Sequence, residues 1–321
     1  MQTVSEAIKK GKTFLVCSHI GPDGDAMASM LAMGLGLEQM GKKVFYYNQD
    51  GVPESLRFLP GAEKVVAAFP DEGIVDLAIS TDCGSLERLG ERFAAFKGYQ
   101  ALLNVDHHAS NDRYGQINYV LPDAASTGEV VWKILSGLNC KLNANIATNI
   151  FCTLVADTGS FRYSNTQAGT LRLAADMVEA GASPSFISQN LFESQPLVIF
   201  ELLSRLLKRI KLSSDGRYSW SVIYQKDLKE TGTHYEMTEE FINYPRAVRG
   251  VEVAALYKEL TGNQYKVSLR SKSMVDVSAI CQHYGGGGHK KAAACVVRGK
   301  FEEVWQKLSS DIQSALTKQH T

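Results

Sequence analysis

A histidine followed by two aspartates one residue apart, His19-Ile-Gly-Pro-Asp23-Gly-Asp25, and a downstream Asp106-His107-His108 triplet are the residues of this 321-residue chain best suited to chemistry. Hard cations take several oxygen ligands, and imidazole suits manganese and other transition metals. The first cluster is therefore half of a metal site, and Asp82 and Asp157 offer further carboxylates. Singly, each has a plainer explanation. Asp-Gly after a strand is commonly a turn, an aspartate commonly caps a helix, and a histidine at a strand end is commonly a satisfied polar group. Gathered in one place, they would concentrate negative charge that cations must neutralise. Together they predict a two-metal hydrolase, with manganese the first choice for mixed His and carboxylate donors and magnesium or cobalt as substitutes.

Elements must carry these residues to one place. Apolar runs Phe14–Cys17, Leu77–Thr81 and Ala101–Val105 read as strands, and each hands over to a polar residue at its C-terminal end. Open α/β sheets bind their ligands at such ends. Helical stretches over Ala26–Met40 and Ile146–Ala156 follow, the second closed by Asp157. Through about residue 190 strand-like and helical stretches alternate, which predicts βαβ units and a mainly parallel sheet. Residues 196–212 read as one amphipathic helix. Runs at Tyr218–Tyr224, Val251–Tyr257 and Tyr265–Arg270 predict strands of a second, α+β domain. The fold class expected is α/β followed by a smaller α+β domain.

The blocks HIGPDGDAMAS, STDCGS, VDHHASN and VADTGSFRYSNT, in this order, resemble the four motifs of the DHH phosphoesterases. Ser268-Leu-Arg270-Ser271, Val275-Asp-Val-Ser278 and Gly285-Gly-Gly-Gly-His289-Lys-Lys-Ala-Ala-Ala294 resemble the DHH-associated domain. The layout is most similar to the nano-RNase/pAp phosphatase group, enzymes that finish off very short RNA and dephosphorylate 3'-phosphoadenosine 5'-phosphate (pAp). The resemblance implies a DHH catalytic domain over 1–190, a helical linker over 191–212 and a substrate-binding domain over 213–321. It further implies one metal on His19, Asp23 and Asp82, and a second on Asp25, Asp82, His107 and Asp157, with Asp82 bridging. Asp106 would orient an imidazole, and His108 would touch phosphate or assist proton transfer. Arg270, Ser271, Gly285, Gly286, Gly287, Gly288 and His289 would bind substrate, because glycine backbone N–H groups can approach an anion and Arg can clamp a phosphate. A base would stack on Tyr284 or Phe161. Departures from the family pattern fall at Ala28-Ser29, Asp157-Thr-Gly-Ser160 and Cys295, and none removes a proposed ligand.

Composition fits an enzyme of two cores, and no apolar run approaches the roughly 18–20 residues of a membrane span. The six cysteines show no Cys-x-x-Cys spacing, which favours reduced, buried thiols, and the expected compartment is the cytoplasm. Residues 211–321 hold 16 Lys/Arg against 12 Asp/Glu, so a net +4 there balances −4 in the remainder of a chain with zero net charge. That sense fits an acidic metal-holding half and a basic half that grips an anion. The expected partners are short RNA oligonucleotides and pAp as substrates, no membrane, and a second copy in a homodimer. Within the hydrolases, exopolyphosphatase, pyrophosphatase and linear or cyclic dinucleotide phosphodiesterase are the rival activities. A non-catalytic nucleotide-binding protein is the rival of another class, opposed by the intact ligand set.

Overall fold

A computed structural model describes residues 1–69 and 73–317. The chain divides into two compact units, Met1–Ser194 and Gln195–Thr321. The first runs α1 (Gln2–Lys10), β1 (Thr13–Ser18), α2 (Gly24–Gln39), β2 (Lys43–Tyr47), β3 (Val65–Val66), β4 (Val75–Thr81), α3 (Glu91–Ala95), β5 (Tyr99–Asp106), β6 (Ile117–Val120), α4 (Thr127–Gly137), α5 (Ala144–Asp157), α6 (Ala168–Glu179) and α7 (Pro184–Phe192). Its six strands lie in the order β3-β2-β1-β4-β5-β6, and every pairing is parallel. Both faces of the sheet are covered, which is why its central strands are apolar runs rather than alternating ones. Phe14 and Val16 of β1 pack with α2, α4 and α5 on one face; Leu15 and Cys17 pack on the other with Tyr47, Phe93 and neighbouring rings. There Phe69 stacks between Tyr47 and Phe96, with ring centroids 4.1 and 3.9 Å away. α2 is buried along most of its length, so Ala26–Leu31, with Ser29 its one polar residue, reads as near-continuously apolar rather than striped. Chain order reverses between β1 and β4, and the C-terminal ends of these two neighbours define the crevice expected of such a sheet.

The second unit comprises α8 (Leu197–Lys208), β7 (Lys211–Leu212), β8 (Tyr218–Ile223), α9 (Gln225–Thr231), α10 (Asn243–Ala247), β9 (Val253–Leu260), β10 (Gln264–Ser271), α11 (Val277–His283), β11 (Gly287–His289), β12 (Ala292–Arg298) and α12 (Phe301–Thr317). Its sheet, ordered β11-β12-β10-β9-β8-β7, is antiparallel except for β8 with β9. α11 and α12 close one face, where Val304 and Leu308 of α12 cluster with Val267 and Leu269 of β10. The helix expected over 196–212 is α8, which ends at Lys208 while Lys211 and Leu212 pair with β8 as β7; it buries Ile199, Leu202, Leu203 and Leu206 in one cluster with Ile223, Leu228, Phe241 and Ile242. Of the segment 191–212, read from sequence as a linker, residues up to Ser194 belong to the first unit, and α8 contributes to the core of the second.

Candidate functional site

The six residues expected to hold metal meet at the C-terminal edge of the first sheet. His19 follows β1, Asp82 follows β4, His107 and His108 follow β5, Asp23 and Asp25 open α2, and Asp157 closes α5. Ligand-capable atoms of His19, Asp23 and Asp82 lie within 4.8 Å of one another, as do those of Asp25, Asp82 and His107, and those of Asp82, Asp106 and His108. Asp82 is common to all three groups. It stands at φ +53°, a left-handed conformation that a short polar side chain tolerates and that marks functional sites.

Two imidazoles are turned the same way. Nδ1 of His19 lies 2.8 Å from the Ile20 carbonyl, and Nδ1 of His107 lies 3.1 Å from the Ala124 carbonyl. A carbonyl only accepts, so each Nδ1 carries a proton and each Nε2 is presented to the carboxylates. Nε2 of His19 is 3.7 Å from Asp82 Oδ2; Nε2 of His107 is 3.0 Å from Asp157 Oδ2, 3.6 Å from Asp25 Oδ2 and 3.7 Å from Asp82 Oδ1. Asp23 caps α2, its Oδ1 accepting from the N–H of Asp25 and Ala26, and capping engages only that oxygen. Asp106 is engaged differently. Its Oδ1 lies 2.7 Å from His108 Nδ1 and accepts from the His107 N–H, while Oδ2 accepts from Asn111 Nδ2 at 2.5 Å.

Charge is the second signature of the place. Burial, then the neighbouring Asp82 and Asp157 carboxylates, push the Asp25 carboxyl well above its usual range. Asp82 is raised mainly by burial. Burial alone would depress His107, but Asp157, Asp25 and Asp82 together hold it well above the ordinary imidazole value. Asp106 sits at the other extreme, because its hydrogen bond with His108 and that imidazole's charge outweigh burial and keep it well below the carboxylate range. Crowded, buried carboxylates with two imidazoles aimed among them suit divalent cations.

Sequence reading missed the residues that hold two of these carboxylates in place. The Thr127 and Gly128 N–H groups donate to Asp25 at 2.7 and 3.2 Å, and Thr127 Oγ1 donates to Asp82 Oδ1 at 2.9 Å. The signal was present as Ser126-x-x-Glu129: Ser126 Oγ accepts from the Glu129 N–H, and Glu129 Oε2 from the Ala125 N–H, a reciprocal cap that fixes the start of α4. Asn111, another such residue, also donates to the Cys83 carbonyl.

In the second unit, strand register brings some of the expected substrate ligands together and separates others. Arg270 pairs with Ala292, and Ala292 with His289, so Arg270 and His289 flank one small residue on the same face. Two strand spacings put their backbones roughly 10 Å apart. The adjacent row is Ser268, Ala294 and Gly287, and a Cβ on Gly287 would meet nothing within 4 Å. Ser271 is buried and donates to the Val275 carbonyl, away from that row. Gly287 and Gly288 of the glycine run lie in the edge strand β11, and Gly285 and Gly286 precede it. A Cβ on Gly286 would fall 2.2 Å from the Ala294 carbonyl oxygen, and one on Gly288 2.5 Å from that of Ala292. Those two glycines serve close approach to β12, and only Gly285 and Gly287 face open space. The Tyr284 hydroxyl donates to Asp311, and Phe161 packs edge-on to Phe151, so both rings proposed for base stacking are engaged by the core.

Residues 13–156 match the family model for the DHH family, N-terminal domain, and residues 219–318 that for the DHHA1 domain. The chain is 28% identical to the "Bifunctional oligoribonuclease and PAP phosphatase NrnA" of Thermus thermophilus, covering 99% of this chain and 95% of that protein. It is 27% identical to the protein of the same name from Bacillus subtilis, covering 96% of each. Among solved structures, an exopolyphosphatase-related protein from Bacteroides fragilis has the same fold, with a TM-score of 0.86 at 21% identity over 99% of this chain and 96% of that one. With its first unit matching the one family model and its second the other, the chain belongs to the DHH family and carries a DHHA1 domain.

Proposed function

We propose that this chain is a two-metal phosphoesterase that hydrolyses short oligoribonucleotides to nucleoside 5'-monophosphates and dephosphorylates pAp to AMP. The observation that carries this reading is Asp82, one carboxylate shared by three groups of ligand-capable side chains at a sheet switch point. The near full-length relatives named for oligoribonuclease and PAP phosphatase activity support it. His19, Asp23 and Asp82 would hold one ion, and Asp25, Asp82, His107 and Asp157 the other, with manganese preferred by this mixture of imidazole and carboxylate. When bound, such ions provide hydroxide at neutral pH and neutralise charge developing at phosphorus. Asp106 holds the His108 imidazole by Nδ1, which leaves Nε2 to bind a phosphate oxygen or protonate the leaving oxygen. Arg270 and His289 grip the anionic end of the substrate, and the small residues between them admit a phosphate. Base identity matters little in this scheme, since recognition falls on phosphates. The working compartment is the cytoplasm, in keeping with six free, buried cysteines; among the described residues no helix is long and apolar enough to cross a membrane.

The test is a hydrolysis panel with manganese, covering di- to pentaribonucleotides, a 24-mer, pAp, cyclic dinucleotides and polyphosphate. Dinucleotides and pAp should be turned over and chelation should abolish both activities. A 24-mer degraded faster than a dinucleotide, with pAp untouched, would overturn the substrate assignment; full turnover after chelation would overturn the metals.

A further inference from the structure

The start of α4 holds two candidate ligands carried by different elements, Asp25 on α2 and Asp82 after β4. We infer that Thr127 is a positioning residue that locks Asp25 and Asp82 into one geometry, an inference that rests on the two-metal reading. Asp25 is fully buried, and it receives two N–H groups from the first turn of α4, one on each oxygen: Thr127 at 2.7 Å to Oδ2 and Gly128 at 3.2 Å to Oδ1. Helix-start N–H groups stabilise the carboxylate form and fix its plane. The same threonine's hydroxyl donates to Asp82 Oδ1. Each carboxylate oxygen has a second lone-pair direction, so these bonds orient the groups and leave them able to ligate.

Thr127 is itself anchored. Ser126 Oγ and Thr153 Oγ1, on α5, lie 3.0 Å apart. A Cβ on Gly128 would fall 1.9 Å from that Thr153 oxygen, so glycine is what lets α4 sit this close to α5. α5 ends at Asp157, the carboxylate 3.0 Å from His107 Nε2. One contact chain therefore runs from α5 through Thr127 to the ends of β4 and the opening of α2, and Thr127 is its only member that touches two candidate ligands from separate elements by both backbone and side chain.

Thr127→Val keeps the shape and the N–H and removes the hydroxyl, whereas Thr127→Ser keeps the hydroxyl. Metal-free wild type and both variants are titrated with manganese, free ion being read by electron paramagnetic resonance, and assayed on a diribonucleotide. Loss of an outer hydrogen bond to a ligand weakens metal binding roughly 10–100-fold. Thr127→Val should show that loss, with kcat reduced and KM for the dinucleotide unchanged at saturating manganese. Thr127→Ser should stay within about threefold of wild type, and both variants should melt within a few degrees of it. Wild type that binds manganese together with a Thr127→Val variant that binds it equally well overturns the inference alone. Equal losses in the Val and Ser variants also overturn it, because the hydroxyl would then be irrelevant. Wild type that neither binds manganese nor loses activity to a chelator sinks the two-metal reading and this inference together.

Discussion

His107 and His108 are neighbours in sequence with opposite employments. His107 presents Nε2 to three carboxylates, whereas His108 spends Nδ1 on Asp106. Burial by itself would lower the His108 pKa, but the hydrogen bond and charge of Asp106 reverse that and raise it. A group raised in this way stays protonated to higher pH and can act as an acid there. Asp106→Asn removes the charge, so the alkaline limb of the pH–rate profile should move to lower pH, with manganese content unchanged; a limb that stays put would remove His108 from proton transfer. The ligand types were legible in sequence because a histidine and carboxylates behind apolar runs carry their chemistry in their identity. Thr127 and Asn111 were not, because a hydroxyl or an amide acquires its role only from what the fold places beside it.

At the scale of elements, the strands ending in His19, Asp82 and Asp106 were legible because a parallel sheet covered on both faces demands uninterrupted apolar residues, and β1, β4 and β5 supply them. The glycine run was misleading for a related reason. Glycine permits a phosphate cradle and also permits two backbones to approach closely, and sequence does not separate these uses. Strand β11 separates them by residue. Gly286→Ala would press a methyl group on the Ala294 carbonyl, so it should cost about 1–3 kcal/mol of stability and loosen β11 from β12, as urea unfolding would report. Gly287→Ala meets open space on the Arg270 face and should leave stability within about 0.5 kcal/mol while raising KM for pAp. Identical behaviour of the two variants would show that the strand, rather than the face, governs binding.

At the scale of the whole molecule, each unit owns its core. Val253, Tyr257, Val267 and Leu308 lie in clusters made solely of second-unit residues, as do Leu202, Phe241 and Leu256. Residues 195–321 should therefore fold when expressed alone, with cooperative urea unfolding and measurable pAp affinity that Arg270→Ala abolishes; a non-cooperative transition would show that the cores depend on each other. The first unit carries a different obligation. Its strand order pairs β1 with β4, yet Thr127 and Asp157, which complete the surroundings of Asp25 and Asp82, belong to helices that follow the last strand. At 5–20 residues per second, a ribosome needs roughly 4–15 s to pass from Asp82 to Asp157. For the first 45 residues of that interval the nascent chain holds carboxylates destined for burial that still lack the Thr127 donors. A cation that binds the finished unit more tightly than the unfinished one stabilises the folded state by mass action. The cellular supply of that cation would then govern how much of the newly made chain reaches its native state, before it governs any turnover.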